Sequence, residues 1–248
     1  MKKKPAPPEA PVSPVVEEPA TPVEYDPPAS YGGMQVLKKY KAALDPRFLA
    51  YYAKEFVNER MMYTHWTAGR RDQNFTDYHR VVTANARGVS VVHNNAPMSQ
   101  DLPAHTYGRN HNSMAVCLAG LLGATTNDLG AHVPGKTQIN ALVDTVTAVC
   151  LNYRVPVANI MSHAEAADNV DQANGLTPGL RGEDALPYGP AHTCERWDLH
   201  CFIHTETLKM LPPTSTQPPA GTEKFMDWLR GQVILNLQAH TRKYWKGT

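Results

Sequence analysis

Apolar and β-branched residues fall in short runs over the first half of the chain and at helical spacing further on. Met61-Met62-Tyr63-Thr64-His65-Trp66, Tyr78 to Thr83, Val89 to His93 and Ser113 to Leu118 each have the length and composition of one strand. From Thr137 to Tyr153 the period changes. Ile139, Leu142, Val143, Val146, Val149 and Cys150 recur at spacings of three and four and predict an amphipathic helix. Another strand is predicted from Val157 to Ser162. Ahead of the strands, Asp45-Pro46 opens a predicted helix over 45–60, with Asp45 as N-cap and Pro46 in the first helical position, where its missing N–H costs nothing. A last stripe, Phe225, Trp228, Leu229, Val233, Ile234 and Leu237, predicts a terminal helix whose apolar face needs cover from the domain or another subunit. Strands interleaved with helices predict an α/β domain with a single central mixed β-sheet flanked by helices.

Composition adds the boundaries. Residues 1–33 carry nine of the chain's 21 prolines and cannot bury a core, so they are expected to form a disordered Pro-rich tail. The expected organisation is a domain over 34–210, a Pro-rich linker over 211–221 and a C-terminal amphipathic helix over 222–248. A net charge of +1 in 248 residues gives no sign of a nucleic-acid partner. Cys117, Cys150, Cys194 and Cys201 are too few for a disulfide scaffold and read as buried free thiols. Met1-Lys2-Lys3-Lys4 runs into Pro5-Ala6-Pro7-Pro8-Glu9 rather than an apolar stretch, which predicts no secretory signal and no membrane insertion. Synthesis in a host cytoplasm is expected, with any substrate outside the inner membrane reached by another route.

Position selects among the eleven histidines. His65 and His163 both stand at the ends of predicted strands, where α/β folds build their sites. Two imidazoles meeting there with an anionic third ligand would make a zinc site with one open position. The segment from Cys194 to Leu199 offers Asp198 and Cys194 as that ligand. Glu165, two residues past His163, is a candidate general base or a support for the ligand.

These residues sit in a series of motifs. His65-Trp66-Thr67-Ala68-Gly69 resembles the His-x-Thr-Ala-Gly opening of the type 2 N-acetylmuramoyl-L-alanine amidases, which share a fold with the peptidoglycan recognition proteins. Asp77 to Val82 resembles the family's Tyr-His strand, and His105 to Gly120 the His…Asn-x-Asn-Ser stretch of phage amidases. Pro134 to Gln138 resembles the start of the family's long helix, and His163 and Arg196-Trp197-Asp198-Leu199 its last two motifs. The resemblance spans residues 60 to 202. A Gly/Pro-rich insertion between Ala167 and His192 departs from the pattern.

The resemblance implies a zinc enzyme of the phage lytic type, an endolysin or a virion-associated protein. It would cut the amide between N-acetylmuramic acid and L-alanine in peptidoglycan, acting in the periplasm or cell wall. His65 and His163 would hold Zn2+, with Asp198 preferred as third ligand because Arg196 stands two residues before it. Cys194, two residues after His192, is the alternative. Tyr78 and Arg196 would donate to the oxyanion. His105, Asn110, Asn112 and Thr67 would contact substrate. The tail or the terminal helix would be the place for other virion proteins. The alternative reading is a non-catalytic peptidoglycan-binding or structural virion module of the same fold.

Overall fold

The structure, a computed structural model, describes residues 39–102, 105–106, 110–125, 127–163, 165, 198–212 and 219–246. The tail over 1–33, the insertion after Ala167, and His192, Cys194 and Arg196 lie outside these residues.

Helix α1 spans Pro46–Glu55, and the Asp45 carboxylate caps it by accepting from the Arg47 N–H. It stops short of the expected 60 because the chain turns at Phe56, whose N–H still closes on the Tyr52 carbonyl. Strands β1 (Met61–Trp66), β2 (Arg80–Ala84), β3 (Ser90–Asn94), β4 (Ser113–Leu118) and β5 (Ile160–Ser162) form one sheet in the order β3-β2-β4-β1-β5. β2 and β3 are an antiparallel hairpin, and the other neighbours are parallel, so the sheet is mixed as expected. Helix α2 (Lys136–Tyr153) connects β4 to β5. At its first turn the buried Gln138 amide donates to the carbonyls of Val82 and Ala119, tying the helix to the ends of β2 and β4. Three short strands, β6 (Phe202–His204), β7 (Lys209–Leu211) and β8 (Thr222–Lys224), make a second antiparallel sheet that the sequence did not reveal. Helix α3 (Phe225–Trp245) follows directly.

The stripe of α3 is covered by the domain itself. Phe225, Trp228, Leu229, Val233, Ile234 and Leu237 join one cluster with Ile139, Leu142 and Val146 of α2, Phe48 of α1, and Met62, Val116 and Ile160 of the sheet. The segment over 211–221 therefore does not divide two units: β7 ends on its first residue, Leu211, β8 begins just after it, and both pair with β6. Burying one Leu- or Phe-sized side chain stabilises a fold by about 1.5–3 kcal/mol, so a face of this size makes α3 part of the core. Cys117, Cys150 and Cys201 are buried free thiols, and no described helix is long and apolar enough to cross a membrane.

Alternation along the strands gives the sheet two different faces. Met62, Trp66, Met114, Val116 and Ile160 point into the helical core. Thr64 also faces the helices, its hydroxyl lying 3.3 Å from Met226 Sδ of α3. Met61, Tyr63 and Met161 belong to a separate cluster, as do Val81, Cys117 and Ala119. His65 continues the Met61-Tyr63 series, so it stands on the face turned away from the helices.

Candidate metal centre

Parallel register sets one row of side chains across the carboxyl ends of the strands. His65 of β1 is level with Cys117 of β4, and Cys117 is level with Val81 of β2. On the other side Thr64 is level with Ser162, which brings His163 beside His65 one residue past the end of β5. The two imidazole rings stand 5.0 Å apart, nearly perpendicular. Asp198 arrives from the chain ahead of β6. Its Oδ1 accepts from the Trp66 N–H at 2.7 Å, which fixes the carboxylate to the end of β1. Its Oδ2 lies 3.4 Å from His65 Nδ1 and 3.8 Å from His163 Nδ1. All three residues are buried, and one ligand atom from each lies within 4.8 Å of the others.

The hydrogen bonds around His65 determine where its proton sits. The Ser113 hydroxyl donates to the Asn110 carbonyl, so it must accept from His105 Nε2–H. His105 Nδ1 then accepts from the Thr106 hydroxyl, and that hydroxyl accepts from His65 Nε2–H. This leaves His65 Nδ1 as a bare lone pair. It is buried, it has no hydrogen-bond partner among the described residues, and it faces a carboxylate oxygen. Two acceptors buried against each other repel, and an unmet buried acceptor costs about 1–3 kcal/mol. A cation between them removes both penalties. Ligands around a tetrahedral ion at about 2.0–2.1 Å stand about 3.3–3.4 Å apart, so the His65–Asp198 spacing suits one.

Electrostatics agree with neutral imidazoles. Burial, reinforced by His163 and His105, holds His65 well below its ordinary pKa. Burial also lowers His105, to about 3, with His79 and His163 adding to the effect. His79 is lowered mainly by burial; its Nε2 lies 2.6 Å from the Gln100 carbonyl and its Nδ1 accepts from the Ala115 N–H, so it is a strut between loop and strand. Cys117 sits in the same row, but burial and the nearby Asp198 push its thiol far up. Without a metal it is an uncharged SH with a hydrogen bond from Tyr78, and it is not one of the three residues whose ligand atoms converge.

The remaining site candidates divide. Tyr78 is half-buried with its ring 5.1 Å from that of His65, and His105 is at 5.7 Å, so both stand at the cluster. Asn110 builds the loop: its side-chain oxygen accepts from the N–H groups of His105 and Thr106. Thr67 is spent on the backbone, its hydroxyl accepting from the N–H groups of Gly69 and Gly120. Gly120 itself has φ +140°, and a Cβ there would come within 2.5 Å of the His132 carbonyl. Asn112 is exposed with φ +50° and donates its N–H to Asp101, so it does not join the cluster. Glu165 is engaged away from the cluster. One oxygen of its carboxylate accepts both the Ser162 N–H and the Arg230 guanidinium. Thr106 and Ser113 lie inside the His105-to-Gly120 motif, whereas no motif marks Arg230.

Comparison with protein-family models, with curated proteins and with solved structures gives no match.

Proposed function

We propose that this chain is a zinc-dependent N-acetylmuramoyl-L-alanine amidase of the phage lytic type, with the fold of that family. The observation that carries the reading is the lone pair of His65, aimed at Asp198 beside His163 at the carboxyl ends of parallel strands. Two imidazoles and one carboxylate are the donor set of a hydrolytic zinc site with an open position. The order of the motifs between residues 60 and 202 supplies the substrate class.

His65, His163 and Asp198 would hold the ion. Zn2+ in such a site supplies Lewis-acid chemistry, acidifying water to a pKa of about 7 and polarising an amide carbonyl. The Ser113–His105–Thr106 chain keeps the His65 proton on Nε2 and its Nδ1 free to bind metal. Asp198 is held by the Trp66 N–H, which fixes the position of the anion. Tyr78, beside His65, would turn its hydroxyl from Cys117 to the oxygen on which charge develops, a role shared in this reading with Arg196. The enzyme works on peptidoglycan in the periplasm or cell wall, as an endolysin or a virion component, with its tail available for other virion proteins.

Digestion of purified walls followed by mass spectrometry of the soluble products tests this. Stem peptides with a free L-alanine amino group, released from intact glycan, are expected. New reducing sugar ends or cleaved cross-bridges, with no free L-alanine, would show a different enzyme.

A further inference from the structure

The segment that carries His163 has an unusual support. Ser162 and Glu165 bracket it as a reciprocal capping box: Ser162 Oγ accepts from the Glu165 N–H at 3.0 Å, and Glu165 Oε2 accepts from the Ser162 N–H at 2.9 Å. His163 lies inside that box. Arg230 of α3 closes it from below. Its side chain is fully buried, its Nε donates to the Ile160 carbonyl at 2.8 Å, and its Nη2 donates to the same Glu165 Oε2. The third arm, Nη1, reaches Asp227 one turn earlier on α3. One guanidinium therefore grips the chain on both sides of His163, at residues 160 and 165.

We propose that Arg230, acting through Glu165, is a positioning residue for the metal ligand His163. A fully buried arginine is costly, and where only stability is at stake an apolar side chain of that volume usually serves as well or better. What the apolar side chain lacks is the planar fork, which fixes two acceptors in direction as well as distance. β5 is only three residues long and, among the described residues, pairs on one side only, with β1, so its own ladder leaves the end of the strand weakly defined. The ligand needs that definition: Asp198 is fixed to β1, and His163 must reach the same point from the next strand. The preceding turn of α3 helps, because Met226 lies against Thr64, whose hydroxyl donates to the Met161 carbonyl. The helix that caps the core is thus also the mount of the site on the opposite face.

This rests on the metal reading of the His65–His163–Asp198 cluster, and the test separates the two. Zn2+ dissociation constants are measured on the full chain by competition with a chelating dye, for wild type, Arg230→Met, Glu165→Gln and the double variant. Loss of an outer support weakens metal binding by about 10–100-fold, and each single variant is expected to fall in that range. Arg230→Met alone leaves the Glu165 carboxylate without its cation. Adding Glu165→Gln keeps an acceptor for Ser162 and removes the charge, so the double variant recovers part of the affinity. Gly231→Ala, on the same helix but against Tyr40, lowers stability and keeps the wild-type constant. The visible spectrum of the Co2+-loaded protein should change in Arg230→Met and not in Gly231→Ala. If Arg230→Met does not fold, Glu165→Gln and Ser162→Ala carry the comparison. Wild-type affinity in the box variants overturns the positioning role and leaves the metal site standing. Absence of Zn2+ binding in wild type overturns both.

Discussion

Lowering the pH of the metal-free protein from 7 to 5.5 protonates histidines in the unfolded chain but not His65 or His105 in the fold. An unfolded histidine takes up its proton near pH 6.5, whereas burial holds His105 at about 3 and His65 well below its usual value. The folded pKa values are depressed, so the neutral rings contribute fully above pH 6.5, and that stability is lost as the pH falls towards the folded values. Where the unfolded state holds one more proton, stability changes by about 1.4 kcal/mol per pH unit. Integrated from pH 7 to 5.5, the His105 ring alone costs about 1.3 kcal/mol, and His65 adds a loss of the same sign. Urea unfolding at the two pH values measures this. His79, whose pKa is also lowered, and the carboxylates add a background common to both proteins. Wild type should therefore lose about 1.3 kcal/mol more than His105→Gln. An equal loss in the two proteins would show that His105 is protonated in the fold, and the assignment of the proton to His65 Nε2 would fall with it.

Asp198→Ala should abolish Zn2+ binding, because it removes the oxygen facing both imidazoles, and should cost about 1–3 kcal/mol of stability through the stranded Trp66 N–H. Cys194→Ser should retain full Zn2+ occupancy; metal analysis of the two proteins reverses the ligand assignment if the pattern inverts. Gly231→Ala gains about 1 kcal/mol of helix propensity but places a Cβ 2.2 Å from the Tyr40 ring. Overpacking of this kind costs about 1–3 kcal/mol, so thermal unfolding should show a net loss, and a raised melting temperature would refute the contact.

The frame of the sheet was legible because its strands are continuous apolar runs. β1 and β4 are buried along their whole length, and their bounds coincide with the runs Met61–Trp66 and Ser113–Leu118. Helix α2 announced itself through its period and starts one residue before the expected Thr137. Strands β6, β7 and β8 have three residues each, too short for an alternation to register. The terminal stripe was recognised but not its partner, since a period tells which face is apolar and not what covers it. It also hides Arg230, which a polar-face reading sends to solvent and the fold buries completely. Within the site, His65 and His163 could be picked out because strand ends are marked in the sequence. The Ser113–His105–Thr106 chain could not, because it depends on a loop folding back over the sheet. Glu165 looked free as a base, until a guanidinium from residue 230 reached it.

The central claim is that His65, His163 and Asp198 hold zinc, and anomalous diffraction at the zinc absorption edge tests it most directly. Crystals of the zinc-loaded protein should give one strong peak, about 2.0–2.1 Å from His65 Nδ1 and from a nitrogen of His163, and about 2.0–2.2 Å from Asp198 Oδ2. A zinc-replete protein whose peak lies elsewhere, or whose His65 Nδ1 instead donates a hydrogen to Asp198, would contradict the account.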